Sequence, residues 1–203
     1  MKLIICLLAL FFSNLSSAKE WVFDAILNDE IVGQHSFIYE DNKTISKANF
    51  KFGFLLMDFL YHHNSVETWD KNCLKSISSE TDDDGDLYQV TGQLVADGFF
   101  VTSNQESKLL PQCIMTFAYG NPEILNQKNL MNSQNGEFLQ VDVKRIREEN
   151  FILRGEKILT DLWQISAESN NGDMLIHLWY DKDMQWVGLK TSTPIGDMYY
   201  QLR

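Results

Sequence analysis

Apolar and polar residues alternate along most of this chain, and short turn segments separate the alternating stretches. The first such stretch carries apolar residues at every second position, namely Trp21, Phe23, Ala25 and Leu27. Because successive side chains of a β-strand point to opposite faces, this period of two predicts strands with one buried face. Similar stretches recur to the end of the chain, so the sequence predicts an all-β protein built as an antiparallel meander.

The turns between these stretches are short and rich in Asn, Asp and Gly. The run Asp82–Gly85 is a strong turn signal, and the pair Asp97-Gly98 is favoured in two-residue type I′ hairpin turns. A meander of many strands leaves unpaired edges, which proteins protect by closing or curling the sheet. We therefore expect the meander to curl into a barrel or half-barrel.

One segment departs from the strand pattern. Asn121 is a good N-cap residue, and Pro122 suits the first helical position, where its missing N–H costs no hydrogen bond. Several apolar residues follow before the turn signal Asn135-Gly136. The sequence therefore predicts one short helix, from about Pro122 to Met131.

The first residues have the organisation of a signal peptide. Lys2 precedes an apolar run, Leu3–Phe12, and small residues lead up to Ala18. The run is shorter than the roughly 20 residues that a membrane-spanning helix needs. We expect cleavage between Ala18 and Lys19, which leaves 19–203 as a single β-barrel-like domain that is periplasmic or secreted. An uncleaved anchor or a buried N-terminal strand is the alternative.

Composition and charge narrow the range of partners. The chain has 203 residues, a formal net charge of −11 and 44% hydrophobic residues, which is ordinary for a globular protein. Binding to nucleic acid phosphates requires clustered Lys and Arg, so this acidic balance excludes a nucleic-acid partner. No stretch after the N-terminal run is long and apolar enough to span a bilayer, so we predict that the protein does not span a membrane.

Two cysteines, Cys73 and Cys113, follow the predicted signal segment. An exported protein meets an oxidising compartment, where an even number of cysteines usually pairs. We therefore expect a disulfide between them, and two separate buried thiols are the alternative. A zinc site is disfavoured because the sequence lacks the paired C-x-x-C spacing of such sites.

Residues that carry chemistry form no recognisable motif. Adjacent strand residues point to opposite faces, so His62 and His63 are not placed to bind one metal ion together. The acidic run Asp82–Asp86 lacks the glycine and glutamate spacing of a calcium-binding loop. Nucleophile-elbow, phosphate-binding and dinucleotide-binding motifs are also missing. We predict no metal, no cofactor and no catalytic residue, and a hydrolase whose site no motif reveals is the enzymatic alternative.

The most unusual stretch is 49–61, which is dense in aromatic and other large apolar residues. Its simplest interpretation is two core strands joined by a bend at Gly53 or Asp58. A second interpretation is the lining of a site for a hydrophobic ligand, or an edge that contacts a membrane. The candidate ligand-binding residues are Phe50, Phe52, Phe54, Met57 and Phe59.

Several phrases of the sequence resemble an uncharacterised family of exported Gram-negative bacterial proteins, which is classed as a domain of unknown function. They are ETWDKNCL at 67–74, TDDDG at 81–85, LPQCIMTFAYGNP at 110–122, NSQNGEF at 132–138 and LWY at 178–180. The resemblance covers essentially the whole chain after the signal segment and implies no catalytic residue, because the family has no established activity. It includes both cysteines, which favours the disulfide. More distantly, the meander with one helix resembles the half-barrels of periplasmic lipid and lipoprotein carriers.

These observations lead to three hypotheses about function. The first is an exported, non-enzymatic envelope protein that holds an apolar ligand, such as a lipid or acyl chain, inside the curled sheet. The second is a structural module with a solid core that binds another envelope protein. The third is the hydrolase with an unrecognised site.

Overall fold

The computed structural model describes residues 18–54, 57–170, 172–193 and 196–203. The predicted signal segment, apart from Ala18, lies outside these residues. Within them the chain is all-β, as the alternating pattern predicted.

The first eight strands run in chain order from the N-terminal side: β1 Lys19–Leu27, β2 Glu30–Glu40, β3 Lys43–Phe54, β4 Met57–Asp70, β5 Cys73–Asp83, β6 Asp86–Val95, β7 Gly98–Ser103 and β8 Glu106–Leu110. The segment that follows contains a 3-10 helix, Pro122–Asn126, and two short strands, β9 Asn129–Met131 and β10 Phe138–Gln140. Five longer strands complete the chain: β11 Asp142–Leu153, β12 Glu156–Ser169, β13 Gly172–Asp181, β14 Trp186–Thr193 and β15 Gly196–Leu202.

Thirteen of the described strands form one antiparallel sheet. Its order is β11-β12-β13-β14-β15-β1-β2-β3-β4-β5-β6-β7-β8, so two meanders are joined where the last strand pairs with the first. Across the described residues β8 and β11 are the two edges, and the sheet does not close. This corresponds to the half-barrel alternative of the sequence prediction.

The segment 111–141 between β8 and β11 packs on the inner face of the sheet, and we call it the plug. Its residues Ile124 and Leu130 belong to the hydrophobic cluster formed by β1, β2 and β12–β14. Its residues Ile114 and Met131 belong to a second cluster, formed with β5–β8. Because one short segment packs against both halves, the sheet must curve around it.

The disulfide Cys73–Cys113 is confirmed, and it ties the start of β5 to the plug. The backbone supports the same connection, because Leu74 N–H donates to the carbonyl of Ile114 at 2.9 Å. At β7, Ser103 Oγ donates to the carbonyl oxygen of Asn135 in the plug at 2.6 Å. These contacts hold the plug against the concave face.

The predicted helix is much shorter than expected, and this is a correction. Asn121 does cap it, since its side chain accepts a hydrogen bond from Glu123 N–H, but the helical turn ends at Asn126. Gln127 is extended, and Asn129–Met131 form β9, which pairs with β10. Leu130 is fully buried in β9, so packing against the sheet overrides the local tendency to continue the helix.

The hairpin at Asp97-Gly98 also differs from the prediction. The two turn residues are Ala96 and Asp97, and neither has a positive φ, which a type I′ turn requires. Gly98 begins β7 with a φ of +155°. A Cβ atom at this position would lie 2.3 Å from the carbonyl oxygen of Leu110, so glycine is needed for the approach of β8.

Helices long and apolar enough to traverse a lipid bilayer are not found among the described residues.

Candidate ligand-binding cavity

A partly enclosed cavity of about 190 Å³ lies between the concave face of the sheet and the plug. Strands β2, β3 and β4 form one wall, β13, β14 and β15 contribute to the other, and plug residues 116–119 and 132–134 cover it. Wider recesses occur elsewhere, such as one of about 720 Å³ beside β12, but that recess is shallow and lined mainly by exposed residues. The cavity between sheet and plug differs from that recess because several buried polar side chains line it.

The polar wall of the cavity comes from the alternation of β4. His63, Ser65 and Glu67 occupy every second position and are at most 5% exposed, whereas Val66 between them points outward. The register places Ser46 of β3 opposite Ser65, so the polar row continues across strands. In this part of the sheet the usual pattern is inverted, because polar side chains face the interior.

Glu67 is the buried carboxyl group of the site. Thr116 Oγ1 of the plug donates a hydrogen bond to its Oε2 at 3.1 Å. No ion pair with Lys, Arg or His reaches Glu67 in the part of the chain that the structure describes. Burial disfavours the charged form and raises the pKa of Glu67 to about 7, and the hydrogen bond from Thr116 opposes this only in part.

His35 is half-buried in the same wall, and both of its ring nitrogens have partners. Nε2 is 2.6 Å from Ser46 Oγ, and Nδ1 is 3.1 Å from the hydroxyl of Tyr200. The ring also stacks on Phe37, with the ring centres 4.1 Å apart. Burial, and secondarily the nearby His63, lowers the pKa of His35 to about 3, so the imidazole is neutral at physiological pH.

His63 is neutral for the same reason. Its Nδ1 is 2.9 Å from Thr81 Oγ1, and burial lowers its pKa to about 4. Thr81 Oγ1 is in turn 3.2 Å from the carbonyl oxygen of Gln134 in the plug, to which it donates. The histidine thus belongs to a hydrogen-bonded connection between wall and plug.

The two histidines of the cavity are poorly placed for acid–base catalysis. His63 and Glu67 are four residues apart on one strand, which separates their backbones by roughly 13 Å, so they do not share a proton. His35 contacts Ser46 in the manner of a base and a nucleophile, but a base works best when its pKa is near the operating pH. A pKa of about 3 is far below that range, so His35 is a poor general base.

The opposite side of the cavity is more apolar, although Thr191 of β14 also lines it. Ile176 of β13 and Leu189 of β14 are buried there, next to the half-buried Met174. Phe117 and Tyr119 of the plug add aromatic surface. A ligand in this space would therefore contact a polar wall on one side and hydrocarbon on the other.

The candidate residue Phe50 lies beside the cavity but does not line it. It is buried and stacks on Tyr61 of β4, with the ring centres 5.2 Å apart. Its ring centre is 6.1 Å from that of Tyr200, which does line the cavity. Phe50 therefore connects the cavity to the β3–β4 hairpin.

The other candidate residues are paired across that hairpin. Phe52 and Phe59 are half-buried and stack, with the ring centres 5.3 Å apart, and Phe54 is the backbone partner of Met57. The predicted pair of strands is present, but Gly53 and Asp58 pair with each other within it, so the predicted bend at either residue is wrong. The residues between Phe54 and Met57 lie outside the described ranges. The structure thus brings the candidate positions together at one end of the sheet, and their role in binding a ligand stays a prediction.

The remaining motifs of the sequence have ordinary structural roles. His62 is exposed, and its Nδ1 is 2.6 Å from Asn49 Oδ1, so it points away from His63 as predicted. The turn at Asp82–Gly85 is confirmed, with Gly85 N–H donating to Asp82 Oδ1 at 2.8 Å. Within the described ranges, no group of three or more His, Cys, Asp or Glu residues is placed to hold a metal ion.

Comparisons with other proteins identify a family and a fold but no activity. The model of the family described as Domain of unknown function (DUF6134) matches residues 23–203. The curated proteins contain no match to this chain. The crystal structure of a β-barrel-like protein of Domain of Unknown Function DUF1849 from Brucella abortus is similar, with a TM-score of 0.62 and 10% sequence identity. The similarity covers 92% of this chain and 95% of that one, and it supports the fold alone.

Proposed function

The chain belongs to the DUF6134 family of unknown function, and we propose that it is an exported, non-enzymatic envelope protein that binds a small ligand inside its curved sheet. The predicted signal segment supports export to the periplasm or beyond. The observation that carries the binding proposal is the cavity between wall and plug, with its buried polar groups on one side and hydrocarbon on the other.

The size of the cavity limits the ligand. An apolar protein cavity of about 150 Å³ is large enough to bind benzene. A cavity of about 190 Å³ therefore suits a molecule little larger than one ring or a short aliphatic chain. A full acyl chain exceeds this space.

A second candidate function is binding to another envelope protein, and the outer surface near β8 favours it. Phe100 of β7 and Leu109 of β8 are directly opposite each other and are 43% and 53% exposed. They lie beside an open sheet edge, where a partner strand can pair with free backbone groups. This surface is independent of the cavity, so the two functions are separable by mutation.

The test of the binding proposal is native mass spectrometry of protein purified from the cell envelope. We expect a bound small molecule. The mass of the polypeptide itself should correspond to a chain that starts at Lys19. Ser65→Leu fills the cavity and should abolish the bound mass. Ser78→Leu, on an exposed position of β5, is the matched control and should retain it.

Two results would contradict the proposal. The first is a wild-type protein that carries no ligand and whose melting temperature does not change when envelope extract is added. This result would favour a structural module with a solid core. Equal ligand occupancy in Ser65→Leu and wild type would place the ligand outside the cavity.

A further inference from the structure

We propose that the cavity selects small organic cations, with the Glu67 carboxylate as counter-charge and the surrounding aromatic rings as a cation–π surface. This inference deepens the ligand-binding function proposed above and rests on it. It names the chemical class of the ligand.

The first argument is the isolation of the Glu67 carboxyl group. It is 5% exposed, and its hydrogen bond from Thr116 satisfies only part of its capacity as an acceptor. A buried carboxylate without a cation is costly, so the group gains most from a ligand that supplies the missing positive charge. The cavity is the space from which such a charge can approach.

The second argument is that aromatic rings line the same cavity as this carboxyl group. Thr44 of β3 is the backbone partner of Glu67 on one side and of Tyr39 of β2 on the other, so Tyr39 lies in the same cross-strand row as Glu67. Phe117 of the plug follows Thr116, whose hydroxyl contacts Glu67. Cations are attracted to the faces of aromatic rings, and sites for quaternary ammonium groups combine such rings.

The third argument is that the described residues lining the cavity offer no positive charge to an anionic ligand. Neither lysine nor arginine is found among the described residues that line it. His35 and His63 are the basic side chains present, and burial keeps both imidazoles neutral. The formal net charge of −11 also raises the local concentration of cations and lowers that of anions.

Two pairs of probes test the inference by isothermal titration calorimetry at pH 8. Choline is compared with its neutral isostere 3,3-dimethyl-1-butanol, and benzylammonium is compared with benzyl alcohol. We expect at least one cation to bind at least tenfold more tightly than its neutral counterpart. The protein used is the purified exported chain with its disulfide intact.

Variants at Glu67 then assign the selectivity to its carboxylate. Glu67→Gln should weaken cation binding at least tenfold and leave the neutral probe unchanged, while Glu67→Asp should restore part of the affinity. Glu80→Gln removes one exposed carboxylate from the neighbouring strand β5 and should change nothing. Near-ultraviolet circular dichroism confirms that each variant is folded.

The outcomes separate this inference from the proposal on which it rests. Equal binding of cation and neutral isostere, failure of both cations, or a bound native ligand that is anionic or neutral would overturn the selectivity for cations. Ligand binding in the cavity would survive the first and third of these results. If protein purified from the envelope carried no ligand, both the cation selectivity and the ligand-binding function would be overturned.

Discussion

Replacing the buried Glu67 by glutamine should make the protein more stable, and increasingly so as the pH rises. Glutamine keeps the size of the side chain and an oxygen that can accept the hydrogen bond from Thr116. It removes the carboxyl group that must lose a proton in the interior. The free energy of unfolding of the wild type should therefore contain a pH-dependent contribution from Glu67 that the variant lacks.

The magnitude follows from the pKa of Glu67, which burial raises from 4.5 to about 7. Between these values the folded state keeps a proton that the unfolded state has released, so stability is lost as the pH rises through this range. The complete loss is about 3 kcal/mol, at about 1.4 kcal/mol per pH unit. Most of it, about 2.5 kcal/mol, falls between pH 5 and pH 8.

The assay is urea denaturation at pH 5, 6.5 and 8 under non-reducing conditions, followed by tryptophan fluorescence. The stability difference between Glu67→Gln and wild type should grow by about 2.5 kcal/mol from the lowest to the highest pH. His35 and His63 also change the stability in acid, but they are present in both proteins and cancel in the difference. Glu80→Gln, at an exposed position, is the control for the loss of one surface charge.

A difference that does not change with pH would refute the reasoning, because Glu67 would then be ionised equally in the folded and unfolded states. A variant that is less stable than wild type at pH 8 would also refute it. That result would mean that the carboxylate has a stabilising partner.

Two further predictions concern the core and the disulfide. Trp69 is half-buried and packs against both hydrophobic clusters, so Trp69→Ala should cost roughly 3–5 kcal/mol in urea denaturation, and a near-neutral result would contradict its packing role. Protein purified after export should show no free thiols when alkylated without reduction, and labelling of both cysteines would disprove the bridge. Replacing Cys73 and Cys113 together by alanine should cost roughly 4 kcal/mol, because their separation of 40 residues closes a long loop.

Much of the fold could be predicted because each strand carries its own alternation. The strand β1 is an example, since Trp21, Phe23, Ala25 and Leu27 are all buried on one face. The disulfide was predictable from the even number of cysteines after the predicted signal segment. The helix was overestimated because the preference of Pro122 is local, whereas the burial of Leu130 in β9 depends on the sheet that the plug contacts.

The aromatic pairs of the β3–β4 hairpin were also accessible from the sequence, because neighbouring strands bring nearby positions together. The cavity was not. Its wall residue Glu67 meets Thr116 of the plug, 49 positions along the chain, and His35 meets Tyr200, 165 positions along it. Such contacts depend on how the whole sheet curves, and no local pattern encodes them.

The alternation by itself determined that this chain forms strands, but it did not determine which face of β4 is the interior. One face of this part of the strand carries His63, Ser65 and Glu67, and the other carries Asn64 and Val66. Hydrophobicity alone would have placed Val66 inside. The tertiary structure decided otherwise, because the side toward which the sheet curves around the plug is set by all of its strands together and not by any one of them.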